Sequence, residues 1–221
     1  TSQDHKRALN GDLGPNTGGM GAYSPAPVVT PEIHDRIMSE VIMPTVEGMA
    51  AEGAPYSGFL YAGLMIAADG TPNVIEYNCR FGDPETQPIM MRLQSDIVEL
   101  CLAATRSELD KATIAFDSRA AVGVVLTANG YPASYPKGDV ISGLETNTND
   151  SAKTFHAGTK LNEQGEVTTN GGRVLCATAL GNTVTEAQKL AYELLHQITW
   201  QGVEFRTDIA YRAIAREQEN V

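Results

Sequence analysis

The chain has 221 residues, enough for one large domain or two small ones, and its 42% apolar and 19% charged content suits a folded protein with a real core. Sixteen basic against 27 acidic residues leave a net charge of −11. Such a surface disfavours nucleic-acid backbones and anionic membranes, yet it leaves room for a nucleotide held by a local basic site and a metal. The chain opens on the polar "TSQDHKRALNGD", with neither a starting Met nor a signal peptide, and reads as the middle of something longer. Residues 10–31, "NGDLGPNTGGMGAYSPAPVVTP", are so rich in Gly and Pro that a loop is expected. A loop of that length is either functional or a linker. Asn16, Met20 and Tyr23 set it apart from a monotonous Gly/Ser spacer.

A helix is predicted next. Thr30 is a suitable N-cap, Pro31 suits the first turn, and Ile33, Ile37, Val41 and Ile42 mark its apolar face. Pro44 is expected to kink or end it, and Gly48 to weaken what continues. The apolar run 58–67, the Asp-Gly turn in "ADGTP" and a second run from about Asn73 to Arg80 predict a β-hairpin. Residues 85–107 follow as one helix, with Ile89, Leu93, Ile97, Leu100, Cys101 and Ala104 on a buried stripe. From Ala120 the pattern turns to short strands: "AAVGVVLTANGYP", "DVISGLE", "KTFHAGTKL" and "GEVTTNGGRVLCATALG". One helix interrupts them, opened by the capping-box pair Thr183 and Glu186, with Ala187, Leu190, Ala191, Leu194, Leu195 and Ile198 on its apolar face. A boundary near residue 117 would divide a first unit, 1–117, from a small β-rich unit, 118–221, that closes with "FRTDIAYRAIA".

The charges concentrate at one strand end, "NVIEYNCRFGDPETQP". On a strand, Glu76, Asn78 and Arg80 share one face and Ile75, Tyr77 and Cys79 the other, which would pack into the core. A carboxylate beside an amide oxygen is a hard-oxygen pair suited to Mg²⁺, and a guanidinium two residues on can grip a phosphate. The same pattern also describes a solvated face of an edge strand with a Glu–Arg pair. Asp83, Glu85 and Thr86 sit at the start of the next helix, where they either cap it or contact a cationic or hydroxylated substrate.

The three cysteines, Cys79, Cys101 and Cys176, are odd in number and lack C-x-x-C spacing, which points to a reduced, cytoplasmic compartment. No apolar run approaches the ~20 residues that span a bilayer. His34, His156 and His196 are scattered without a partner, whereas His5 stands among "QDHKR". Trp200 is expected to pack.

"QDHKR", "GDLGPNTGGMGAYSP", "GFLYAGLM", "IEYNCRFGDPETQ" and "GGRVLCATALG", in that order, closely resemble the phosphoribosylamine–glycine ligases, also called glycinamide ribonucleotide synthetases. The resemblance runs over nearly the whole chain, and "GPNTGGMGAYSP" and "CRFGDPETQP" are its most specific strings. It implies an α+β fold: the C-terminal part of an ATP-grasp domain, an antiparallel sheet with helices, followed by a β-rich domain like the C-terminal domain of biotin carboxylase. It implies ATP-dependent ligation of glycine to 5-phosphoribosylamine through a glycyl phosphate, in purine synthesis, with Mg²⁺ or Mn²⁺ and no nucleic-acid partner. Glu76 and Asn78 match the family's metal positions, and Arg80 would hold the γ-phosphate or acyl phosphate. Residues 11–21, with Asn16, Thr17, Gly18 and Gly19, would close over substrate. Asp4 and Lys6, with His5 and Arg7, would stand near the substrates as catalytic candidates. Asp83, Glu85 and Thr86 would lie on the substrate side, and Arg173 would contact phosphate.

Two departures qualify the resemblance. Many ATP-grasp enzymes carry a further metal-ligating Glu on the preceding strand, but "GFLYAGLMI" has no acid, so a two-ligand site is expected. The family's chain also has an N-terminal half that would hold the first substrate-binding domain and the lobe clamping adenine. The piece alone is therefore expected to be inactive. Two other readings stand: an ATP-grasp ligase for a different acid or amine, and a nucleotide-binding fragment without chemistry.

Overall fold

The computed structural model of the protein describes residues 1–144 and 148–219. In chain order the elements are β1 (Gln3–Asp4), β2 (Arg7–Leu9), β3 (Leu13–Asn16), β4 (Gly21–Ser24), α1 (Pro31–Ile37), α2 (Met43–Ala51), β5 (Tyr61–Ile66) and β6 (Pro72–Asn78). Then come α3 (Thr86–Arg92), α4 (Ile97–Thr105), β7 (Ala120–Thr127), β8 (Thr148–Asn149), β9 (Ala152–His156), β10 (Thr159–Leu161), β11 (Val167–Thr169), β12 (Arg173–Gly181), α5 (Val184–Leu195) and α6 (Tyr211–Glu219). The chain forms two compact units, one of residues 1–26, 83–92 and 117–221, the other of residues 27–82 and 93–116.

The first unit is built on a six-stranded sheet of order β1-β4-β7-β12-β9-β8, with every neighbouring pair antiparallel. β7 is buried along its whole length because both of its faces are covered. Val122, Val124 and Leu126 join Leu175, Ala177, Ala187 and Ala191 in the core cluster, where α5 packs. On the other face, Gly123 lies against Cys176, Thr178 and Pro88 of α3. Thr183 caps α5 by accepting from the Glu186 N–H at 3.0 Å. Glu186 reaches back one residue further than a standard capping box, accepting from the Asn182 N–H at 2.7 Å.

Residues 10–31 are not a loop throughout. β3 and β4 lie inside the stretch, and β4 is an interior strand, flanked by β1 and β7 and wholly buried. Pairing on both sides and burial of Ala22 and Tyr23 override the weak strand propensity of Gly and Pro. "DVISGLE" forms only isolated bridges at Val140 and Ser142, and its Glu145 lies outside the described residues. "KTFHAGTKL" divides into β9 and β10, which belong to different sheets. "TNGG" joins strands of different sheets, since β11 pairs with β10 while β12 pairs with β7 and β9.

In the second unit, Thr30 caps α1 as expected, accepting from the Ile33 N–H. Pro44 does not end the helix. The turn 38–42 widens to π-helix, with the Met43 N–H bonded to the Met38 carbonyl, and this absorbs the proline before α2 continues. β5 and β6 form the predicted hairpin, closed by Gly70 at φ 80. The single helix 85–107 is instead two, α3 in the first unit and α4 in the second. Asp96 caps α4 anew through the Val98 N–H at 2.8 Å, and Gln94 bonds the Ala115 carbonyl. The expected stripe is not buried, and Cys101 is exposed. Nor does the second face of β6 pack into a core: Ile75 is 64% and Tyr77 40% exposed, and Cys79 is exposed. Gly63 pairs with Glu76 and Leu64 with Val74, leaving Ile75 in a bulge of a hairpin only two strands wide.

Leu175, fully buried on β12, tests the core. Leu175→Ala should cost about 2–5 kcal/mol in urea unfolding, whereas Leu161→Ala on exposed β10 should stay within about 0.5 kcal/mol. Equal losses would refute this placement of the core.

Candidate active-site elements

The expected metal pair lies at the end of β6 in the second unit. The Asn78 amide meets Glu76 Oε1 at 3.3 Å, so the two side chains do share one strand face. Glu76 is exposed and Asn78 half-buried. Among the described residues no three His, Cys, Asp or Glu side chains gather into a metal-binding group. One carboxylate and one amide thus form a partial hard-oxygen set that fits Mg²⁺, which commonly completes its shell with water and phosphate. Arg80 follows, exposed, with Nη1 on the Phe81 carbonyl at 2.8 Å.

The remaining candidates belong to the first unit. The Thr17 N–H donates to the Lys6 carbonyl at 2.7 Å, Gly18 N–H to Tyr131 Oη at 2.9 Å, Gly19 N–H to Thr17 Oγ1 at 2.9 Å and Met20 N–H to the His5 carbonyl at 2.8 Å. From Thr17 to Met20 every N–H is thus paired within the unit. Gly19 is required twice over: its φ is 118, and a Cβ would sit 2.4 Å from Pro84 Cδ. Asn16 is exposed. Asp4 Oδ2 pairs with Lys6 Nζ at 2.6 Å, and Lys6 is half exposed.

Asp83 does not cap α3. Its carboxylate accepts from Arg173 Nη2 at 3.0 Å and its carbonyl from Nη1 at 2.7 Å. Glu85, only 2% exposed, gives its carbonyl to the first bond of α3, the helix that Thr86 opens. Arg173 also donates to the Gly18 carbonyl at 2.8 Å.

Sequence reasoning missed a buried ionic cluster. Arg206, 1% exposed, binds Asp12 Oδ1 at 2.8 Å, Asp208 Oδ1 at 2.7 Å and the Arg7 carbonyl at 3.1 Å. Asp12 also accepts from Tyr211 and Arg212, and Asp208 from the Gly11 N–H. His5 is buried, and its Nε2 accepts the Ala210 N–H at 2.9 Å, so it is part of the packing and not displayed to a substrate. The only sequence trace was the close spacing of Arg206 and Asp208; the Asp12 partner is far away in the chain. Partial burial works to raise the Asp12 carboxyl, but hydrogen bonds from Tyr211 and Arg206 and the Arg212 charge outweigh it and hold it well below the usual range. Asp208 is likewise lowered, with Arg206 and the Gly11 N–H overcoming desolvation. Burial, and then the Arg206 charge, push the His5 imidazole down.

Comparison with known proteins bears on both units. The family model for the ATP-grasp (A) domain of phosphoribosylglycinamide synthetase matches residues 1–86, and that for its C domain matches residues 121–212. The chain is 70% identical over 219 residues to phosphoribosylamine–glycine ligase of Vibrio vulnificus, covering 99% of this chain and 51% of that protein. The chain belongs to the phosphoribosylglycinamide synthetase family. The family's Yersinia pestis ligase is 66% identical over 216 residues, covering 98% of this chain and 50% of the relative. The crystal structure of the Thermotoga maritima phosphoribosylamine–glycine ligase superposes with a TM-score of 0.79 at 38% identity, over 95% of this chain and 51% of that one. A biotin carboxylase domain of a thermophilic 2-oxoglutarate carboxylase shares the fold, with a TM-score of 0.61 at 17% identity over 84% and 41% of the two chains. The chain therefore has the mixed helix and antiparallel-sheet fold of ATP-grasp enzymes, and it spans about half the length of the curated relatives it matches. Among the described residues no helix is long and apolar enough to cross a membrane.

The ionic cluster makes a pH prediction. Both carboxyls titrate lower in the fold than in the unfolded chain, so their contribution is complete above about pH 5 and is lost as pH falls through the folded-state values. The lowered His5 adds a loss in the same direction as pH falls below about 6.5. Arg206→Met should destabilise by about 3 kcal/mol at neutral pH, because it removes the buried cation that both carboxylates share, and by less in acid, where the variant's carboxyls, no longer held down by Arg206, take up protons. Urea unfolding of both proteins at pH 7 and pH 3.5 checks this; a deficit that grew in acid would contradict it.

Proposed function

We propose that the chain is the C-terminal part of an ATP-grasp ligase that joins glycine to 5-phosphoribosylamine, giving glycinamide ribonucleotide in purine synthesis. The observation that carries this reading is the 70% identity to a named ligase across 99% of the chain, with the Glu76–Asn78 pair on one exposed strand face. In the reaction a glycine carboxylate oxygen takes the γ-phosphoryl group and ADP leaves. The amine then attacks the acyl carbon, the carbon–oxygen bond to phosphate breaks, and phosphate and a proton are released. Glu76 and Asn78 hold the divalent metal, Mg²⁺ or Mn²⁺. The bound ion supplies charge neutralisation on the transferring phosphoryl group. Arg80 grips the γ-phosphate or acyl phosphate. Asp4 and Lys6 present a charge pair to substrate from β1 and the turn after it. Asn16, Thr17, Gly18 and Gly19 shape the substrate wall. Asp83 and Thr86 border it, with buried Glu85 behind them.

Residues 1–117 supply the ATP-grasp portion and 118–221 the C-terminal domain in this reading, a division supported by the span of the two family models. The three cysteines, free of disulfides, suit a reduced cytoplasmic setting. ATP, glycine and phosphoribosylamine are the partners, together with the N-terminal half of the same enzyme.

The test is Mg²⁺-dependent ADP release by the full-length protein, with glycine alone and then with phosphoribosylamine generated in place. Release should require both substrates, and Glu76→Gln should lower it about 10²–10³-fold. Robust release with another acid or amine, but not with these, would discard the substrate assignment.

A further inference from the structure

The guanidinium of Arg173 lies where three acceptors from two distant segments converge. Nη1 donates to the carbonyls of Gly18, at 2.8 Å, and Asp83, at 2.7 Å, and Nη2 to the Asp83 carboxylate at 3.0 Å. The guanidinium also covers the Gly18 backbone: a Cβ there would sit 2.8 Å from Arg173 Cζ. Tyr131 completes the grip by accepting the Gly18 N–H. Tyr131 comes from just beyond β7 and Arg173 opens β12, so neighbouring strands of the central sheet hold both polar groups of one residue in the glycine-rich stretch.

We propose that Arg173 is a positioning residue: it fixes the glycine-rich segment 16–19 and the turn at Asp83 to each other. The chemistry favours arginine for this role. Three oxygen acceptors in a fixed fan match the planar fork of a guanidinium, whereas an ammonium is a point charge on a flexible stem. Three of the five guanidinium N–H groups, both on Nη1 and one on Nη2, are engaged by the protein's own oxygens, so the clamp takes up most of the fork. The effect on turnover rests on the proposed role of segment 16–19 in the substrate wall; the clamp itself rests on geometry alone.

The experiment uses the full-length protein and three variants: Arg173→Lys, Gly18→Ala and the double substitution. Arg173→Lys keeps the charge that a phosphate contact would use but loses the fork. Gly18→Ala pushes the guanidinium away from the other side, since the added Cβ meets only the end of the Arg173 side chain, at an exposed residue. Each single variant should speed amide hydrogen exchange across residues 16–20. Each should also lower kcat/KM about 10–100-fold, chiefly through KM for glycine or phosphoribosylamine. The double variant should be no worse than the worse single, because both remove the same clamp. Wild-type kinetics in Arg173→Lys would overturn the proposal in favour of a phosphate contact. Unchanged exchange at 16–20, or losses that simply multiply in the double variant, would overturn it as well. A wild-type protein inactive on these substrates would instead overturn the functional reading, while hydrogen exchange would still decide the clamp.

Discussion

β4 pairs with β1 on one side and β7 on the other, with Ala22 opposite Gly123 and Tyr23 opposite Val122. The rest of the first unit depends on this insertion of an early segment into a sheet whose other long strands follow residue 120. Tyr23 is fully buried, and its hydroxyl finds Gln3 Oε1 at 2.6 Å. Burial pushes its phenol up to about 12, so the hydrogen bond persists across the working pH range. A slip of one residue would turn Tyr23 from one face of the sheet to the other, so the register is strongly specified. Segment 16–19 enters β4 directly, and its position is set by that register before any side chain beyond the sheet acts on it.

The ionic cluster is a second tie between the same distant parts of the chain. Arg206 is buried, and a buried charge is tolerated only when its donors are matched. Two carboxylates and the Arg7 carbonyl provide that match, and they come from both ends of the unit. His5 stands beside the cluster as a neutral acceptor for the Ala210 N–H, which fixes the backbone just before α6. Hydrophobic burial alone would hold β1 to β4 near residue 210; the polar fan selects one arrangement of the 7–12 turn among many of similar apolar area.

Local chemistry explains what was legible in the sequence. The Thr30 and Thr183 caps, the Asp-Gly hairpin, the apolar run of β7 and the α5 stripe rest on contacts within a few residues, and each is present. The common face of Glu76 and Asn78 follows from strand geometry alone. The failures have non-local causes. Glycine and proline argued for loop at residues 10–31, and pairing partners a hundred residues away made strand of part of it. An unbroken apolar period argued for one helix at 85–107, and the chain's passage from one compact unit to the other broke it at Leu93–Asp96. Arg206 was invisible because its value lies in Asp12, a partner that no spacing rule reaches.

The glycine-rich stretch shows how these levels combine. A backbone with few side chains offers carbonyls and N–H groups that must be paired once water is excluded. From Thr17 to Met20 every N–H is paired within the unit, and the Gly18 carbonyl is paired by Arg173. Gly18 leaves the space that the guanidinium fills, and Gly19 leaves the space that Pro84 fills. The glycines therefore serve close approach more than mobility: the missing Cβ atoms let three separate segments meet at one point. A residue that supplies several donors in one plane is the economical partner for such a point. Only arginine combines that geometry with a stem long enough to reach across from β12 to all three acceptors.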